Sequence, residues 1–127
     1  MAIRTEYHAD TAIKSVRLLA TVQQTANLKQ SLDFDMDHNI KKFIIDLSEC
    51  EFFDSAFIGL LVVTLKKLQK NDGNLKIIKP KNVFQFLLQS IAGSKIFEMY
   101  DSVEEALESF GFTKTLQPLK PINFIAA

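Results

Sequence analysis

Phe43-Ile44-Ile45-Asp46-Leu47-Ser48-Glu49-Cys50-Glu51-Phe52-Phe53-Asp54-Ser55-Ala56-Phe57-Ile58-Gly59-Leu60-Leu61 reads as a strand, a short loop and the start of a helix. Phe43 to Leu47 is a short, nearly continuous apolar run, the pattern of a strand covered on both faces. Beyond it, Ile58, Leu61, Val62, Leu65 and Leu68 recur at i, i+3, i+4, i+7 and i+10, a helical stripe. Lys66, Lys67 and Lys70 fall toward the C-terminal end of that helix, where cations are favoured. Asn71-Asp72-Gly73 then breaks the chain. Leu75 to Ile78 supplies the next strand, closed by Pro80. Strand, helix and strand within about forty residues form a crossover unit, so the two strands should lie parallel.

Asp54 and Ser55 stand at the mouth of this helix. A helix start carries backbone N–H groups without intrahelical partners and a partial positive charge. Two readings of the pair follow. Asp54 or Ser55 caps the helix, or Ser55 presents a hydroxyl where a phosphate is tolerated. Spacing alone favours the cap.

Toward the N-terminus, about Ile3 to Tyr7 and about Ile13 to Val22 alternate near period two, with Val16, Leu18, Ala20 and Val22 on one face. His8-Ala9-Asp10-Thr11 is the turn between them. Thr25-Ala26-Asn27 is predicted to start a helix with Leu28, Leu32 and Met36 inward. Asp33, Asp35 and Asp37 near its end read as a solvated face or loop rather than a metal cage. Toward the C-terminus, Asn82 to Ile91 is predicted helical, with Gly93 as a stop, and Ile96 to Tyr100 is a last short strand. Ser102-Val103-Glu104-Glu105 is a capping box opening a final helix. The order β-β-α-β-α-β-α-β-α describes one α/β domain, with a mixed sheet of four to five strands and four helices.

Residues 1–110 account for that domain. The extension 111–127 carries Phe112, Leu116, Leu119, Ile122, Phe124 and Ile125, too apolar for a free tail, while Pro118 and Pro121 forbid one continuous helix. It is expected to pack on its own domain or across a dimer.

Bulk properties narrow the function classes. A chain of 127 residues, 47% hydrophobic and 24% charged, is an ordinary globule with a real core. Fifteen basic residues balance fifteen acidic ones, so no global field draws it to nucleic acid or anionic membrane. The single cysteine, Cys50, excludes an internal disulfide framework and fits a reducing compartment. Lying between Glu49 and Glu51, it reads as a small buried hydrophobe rather than a reactive thiol. His8 and His38 lie far apart with no thiol nearby, so no metal site is expected. No run approaches the roughly 18 apolar residues of a membrane span, and the first residues hold no signal core. A cytoplasmic location is the expectation. No Walker loop, dinucleotide fingerprint or nucleophile–His–acid set is present, so neither an enzyme nor a cofactor is expected. Asp46, ending its strand, could accept bonds from the backbone or Ser48. Along Asn82 to Ile91, Val83, Leu87 and Ile91 can face the core, but Phe84, Phe86 and Leu88 cannot all join them. Those three either lie under the C-terminal extension or form a patch for a partner or a twin subunit.

Taken in order, several pieces resemble the STAS domain, the anti-sigma factor antagonist family. They are Phe43 to Ser48, Phe52-Phe53-Asp54-Ser55, Gly59-Leu60-Leu61, Lys67 to Gly73 before Leu75 to Ile78, and Ile96 to Leu107. The resemblance covers about Ile13 to Phe110. It implies a non-enzymatic phospho-switch in a partner-switching pathway controlling transcription or signalling. In such families a serine kinase, itself an anti-sigma factor, phosphorylates the serine after the aspartate, and a phosphatase of the PP2C type reverses this. The unmodified form captures the anti-sigma factor. Carried onto this chain, the phosphoacceptor is Ser55 and Asp54 its neighbour. The family writes Asp-Ser-Ser/Thr-Gly-hydrophobic-Gly where this chain has Asp54-Ser55-Ala56-Phe57-Ile58-Gly59. Ala56 leaves Ser55 as the only acceptor in the motif. Gly59 keeps the second glycine, which suits tight backbone packing. Phe57 replaces the first, and its ring is expected to face solvent, as an anchor for a particular partner or a block to a generic kinase. The expected partner surface is therefore Asp54, Ser55, Ala56, Phe57, Ile58 and Gly59, extended by Phe84, Phe86 and Leu88. A rival within the same fold is an unphosphorylated accessory subunit of a lipid-type ATP-binding-cassette transport complex.

Overall fold

Alternation along the strands sorts the core into two layers. The computed structural model describes residues 3–20, 22–81 and 96–111. In it β1 (Ile3–His8) and β2 (Thr11–Val16) pair antiparallel, and β3 (Leu18–Ala20) leads into α1 (Val22–Asp37). Then come β4 (Lys42–Asp46), β5 (Cys50–Phe53), α2 (Ser55–Lys70), β6 (Asn74–Ile78), β7 (Glu98–Tyr100) and α3 (Val103–Ser109). One sheet has the order β1-β2-β4-β6-β7, and every neighbouring pair in it after β1–β2 is parallel. The expected crossover is present: β4 and β6, joined by α2, run parallel from Lys42↔Asn74 to Asp46↔Ile78. The helix expected over Asn82 to Ile91, with Phe84, Phe86 and Leu88, and the extension from residue 112 onward lie outside the described residues. Among the described residues there are three helices, none long and apolar enough to cross a membrane.

Successive side chains of a strand point to opposite faces. Phe43 and Ile45 of β4, with Leu75 and Ile77 of β6, meet Leu28 and Leu32 of α1 and Leu61, Leu65 and Leu68 of α2. Ile44 and Ile78 turn the other way, toward Ile13, Ala106 and Leu107, so α3 covers the second face. Each such side chain contributes about 1.5–3 kcal/mol on burial, far more than helix propensity supplies. Lys76 helps seat α3: its ammonium donates to Ser109 Oγ at 2.7 Å and lies 4.1 Å from the centroid of the Phe110 ring. Ser102 caps α3 as the sequence predicts, its Oγ accepting from the Glu105 N–H at 3.2 Å.

The turn after α2 explains a glycine. Asp72 takes the left-handed conformation, φ 62, and a Cβ on Gly73 would come within 2.5 Å of the Lys41 carbonyl oxygen. Close backbone approach, rather than an unusual φ, reserves that position for glycine.

Four expectations need correction. The run from Ile13 to Val22 is not one strand. It breaks at Arg17, and β3 leaves to pair in parallel with β5 in a separate two-stranded sheet. The supposed loop at Cys50 to Phe53 is the strand β5, four residues being too few to display a period. Helix α1 begins at Val22 rather than Thr25, because Gln23 and Gln24 are good helix formers. The fourth concerns Asp35, which is 2% exposed rather than solvated.

Asp35 follows Leu28 and Leu32 at i+7 and i+3, which places it on the inward stripe of α1. Lys14 lies between Ala12 and Val16 on the core face of β2 and is 1% exposed. The two form a buried ion pair. The Lys14 ammonium also donates to Ser31 Oγ at 2.6 Å and Thr5 Oγ1 at 3.1 Å, and the Tyr7 hydroxyl donates to Asp35 Oδ1 at 2.7 Å. Burial pulls the Lys14 ammonium below the ordinary lysine range, with Asp35 opposing that pull. Burial pushes the Tyr7 phenol up to about 12, assisted by the Asp35 hydrogen bond and charge.

Removing one member of such a pair strands the other, at a cost of about 3–5 kcal/mol, whereas replacing both with apolar residues is often neutral. Lys14→Met alone should therefore lose about that much in urea unfolding, and Lys14→Met with Asp35→Leu should recover most of it. A double variant no better than the single would contradict the pairing. The Tyr7 phenol is neutral in the folded state above the ordinary value of 10.0, so its contribution is complete below that pH and is lost as pH rises through about 12. Spectrophotometric titration should show a tyrosine ionising at about 12 that Tyr7→Phe removes; identical curves would count against the Tyr7–Asp35 bond.

Candidate functional site at the start of helix α2

Asp54 ends the extended chain with φ −107 and ψ −179, and its Oδ1 accepts from the Phe57 N–H at 2.9 Å. The Asp54 carbonyl accepts the first helical bond, from the Ile58 N–H at 3.3 Å. Asp54 is thus the N-cap, satisfying one of the donors that every helix start leaves open. The cap and the exposed serine are compatible, because the cap falls on the aspartate. Ser55 is the first helical residue and is exposed. Upstream, Asp46 Oδ1 accepts from the Ser48 N–H at 2.9 Å, as the sequence suggested, and tightens the turn leaving β4. Cys50 is buried, its Sγ 3.3 Å from the Phe52 carbonyl oxygen.

A helix advances about 100° per residue, so the motif divides into inward and outward members. Ser55, Ala56 and Gly59 face out and Asp54 is half-buried, whereas Phe57 and Ile58 are buried. This overturns the expectation for Phe57, whose ring is 0% exposed and lies 6.1 Å from that of Phe53, tilted by 32°. It occupies the same inward stripe as Leu61, Thr64 and Leu68, so no partner can meet its ring without unfolding the turn. Ile58 is likewise core and offers no side chain to a partner. Gly59 is corrected in the opposite sense. A Cβ built there meets nothing within 4 Å among the described residues, so none of them packs closely enough to require a glycine. Its presence mid-helix costs about 0.5–1 kcal/mol relative to alanine.

Two exposed apolar residues beside the motif were not singled out from the sequence. Phe52 is 44% exposed and Val63 52% exposed. Both carried a signal. In a strand, adjacent Phe52 and Phe53 must point to opposite sides, and Val63 falls outside the buried stripe of Leu61 and Leu65. Neither histidine adds chemistry at this site. His8 is buried at the end of β1, and His38, just beyond α1, stacks on Phe34 with centroids 4.3 Å apart. Among the described residues no group of three or more His, Cys, Asp or Glu could hold a metal ion.

A mixed sheet with parallel crossovers and a capped Asp-Ser turn opening α2 define a recognisable class. The profile of the STAS domain family matches residues 11–106, and the chain belongs to that family. A protein of Thermotoga maritima described as a candidate anti-sigma factor antagonist is 26% identical over 87 residues, covering 67% of this chain and 77% of its own. Among solved structures, the anti-sigma factor antagonist SpoIIAA in its unphosphorylated form superimposes with a TM-score of 0.78 at 16% identity, covering 88% of this chain and 99% of its own. SpoIIAA, the Bacillus cell fate determinant, in its phosphorylated form gives 0.69 at 16% identity, covering 86% and 99%. At such identity the likeness is one of fold.

The placements above predict an order of stability losses. Phe57→Ala should cost about 3–5 kcal/mol, Asp54→Ala about 1 kcal/mol through the lost cap, and Ser55→Ala under about 0.5 kcal/mol as a surface change. Denaturant unfolding reads all three. A Phe57→Ala variant as stable as Ser55→Ala would place that ring outside the core.

Proposed function

We propose that the chain is a non-enzymatic anti-sigma factor antagonist whose partner binding is switched off by phosphorylation of Ser55. The observation that carries this is the exposed Ser55 hydroxyl at the first position of a helix whose cap is already supplied by Asp54. The names of its relatives agree, and one of those proteins has been solved with and without phosphate. On this reading the partner is an anti-sigma factor that is also the serine kinase, and a PP2C-type phosphatase restores the free hydroxyl.

The physics of the switch is electrostatic. Phosphate adds about −1.5 to −2 charge beside the Asp54 carboxylate. The helix start compensates by only about 0.3–1 kcal/mol at an exposed position. A partner that covers the site must desolvate the rest, which without a matched cation costs several kcal/mol. The fold itself need not change, because Asp54 and Phe57 hold the turn without using the Ser55 side chain.

Incubation with the cognate serine kinase and ATP should add one phosphate to the wild type and none to Ser55→Ala, read by mass spectrometry. Ser55→Asp should melt within a few degrees of wild type yet bind the anti-sigma factor more weakly. Equal binding of the two forms would remove the electrostatic switch. Absence of labelling together with co-purification of a transporter ATPase would support an accessory role instead.

A further inference from the structure

Helix α2 turns outward a stripe of Ser55, Gly59, Val63, Lys66 and Lys70, at i, i+4, i+8, i+11 and i+15, and all five are exposed. Three features of this stripe are not explained by contacts among the described residues. Glycine inside a helix is unfavourable unless something approaches the missing Cβ, and at Gly59 nothing among the described residues lies within 4 Å of that position. Val63 leaves an aliphatic side chain in water, 52% exposed. Lys66 and Lys70 make no ion pair among the described residues. Helix-dipole complementation favours cations at this end of α2, where Lys67 and Lys70 lie in the last turn and Lys66 just ahead of it, but it supplies neither Lys66 nor Lys70 with a carboxylate.

We propose that the partner lies lengthwise on this stripe as an acidic, apolar-containing protein segment. Its backbone passes close over Gly59, an aliphatic side chain covers Val63, and carboxylates face Lys66 and Lys70. This rests on reading Ser55 as the switch, and adds the direction and charge of what docks there.

The test uses the purified anti-sigma serine kinase as probe and four proteins: wild type, Ser55→Asp, Gly59→Gln, and Lys66→Glu with Lys70→Glu. Gly59→Gln should melt at or above the wild-type temperature, because glutamine is the better helix former, yet bind about tenfold or more weakly through the blocked approach. The lysine double variant should bind about tenfold more weakly and lose most of the salt dependence of the wild-type complex. If Ser55→Asp weakens binding while both stripe variants bind like wild type, the stripe is overturned and the switch stands. If the stripe variants lose binding and Ser55→Asp does not, the stripe stands and the switch fails. A kinase that does not bind wild type overturns both. Lysine-dependent binding to vesicles containing phosphatidylserine, with kinase binding unaffected, would reassign the face to a membrane surface. A wild-type dimer dissociated by Gly59→Gln would reassign it to a second copy of the chain.

Discussion

Burial of the Phe57 ring fixes where helix α2 begins, and with it what the molecule shows to solvent. Once that ring is in the layer between α2 and the sheet, beside Phe53, the 100° step of the helix leaves Ser55, Ala56 and Gly59 no direction but outward. Asp54 then closes the turn by accepting the Phe57 N–H. Each residue of the turn thus has a separate task. Phe57 anchors, Asp54 caps, and the Ser55 side chain makes no hydrogen bond among the described residues.

The scaffold beneath the turn is secured on both sides of the sheet. Apolar layers of α1 and α2 on one face and α3 on the other hold β4 and β6 in parallel register. Inside the first layer the Lys14–Asp35 pair, with Tyr7, Ser31 and Thr5, ties β1 and β2 to α1. A buried ion pair is a weak source of net stability, but separating its partners strands a buried charge at high cost. Its contribution here is to fix the position of α1 against the sheet. A rigid support is what the proposed electrostatic switch needs, since its signal would be a change of charge rather than of shape.

Legibility in the sequence followed the length and regularity of each pattern. The sixteen-residue helix α2 repeats its stripe several times, and its flanking strands are almost wholly apolar, so β4-α2-β6 and its parallel pairing could be read directly. Strand β5 could not, because Cys50 to Phe53 is too short to display a period and pairs with a segment thirty-odd positions away. At Asp35 the charge suggests solvent, but the helical position decides burial. The same spacing that put Leu28 and Leu32 inward puts Asp35 there, and Lys14 on the neighbouring strand is the cation it meets. For Phe57 the departure from the family's glycine suggests exposure, whereas its place on the apolar stripe requires burial. Ser55 was legible as a candidate because Asp-Ser before an apolar helix is a local pattern, whereas the outward faces of Gly59 and Val63 needed the packed helix to be seen.

The central claim is that phosphate on Ser55 alters the charge of one surface and leaves the fold beneath it alone. Backbone amide NMR spectra of the unmodified and Ser55-phosphorylated protein test this most directly. The account predicts shifts confined to the residues about the turn and the outward stripe of α2, with the amides of Phe43, Ile44 and Ile45 and of Leu61 and Leu65 unmoved and equally protected from exchange. Shifts or lost protection spreading through β4 and the buried side of α2 would contradict it.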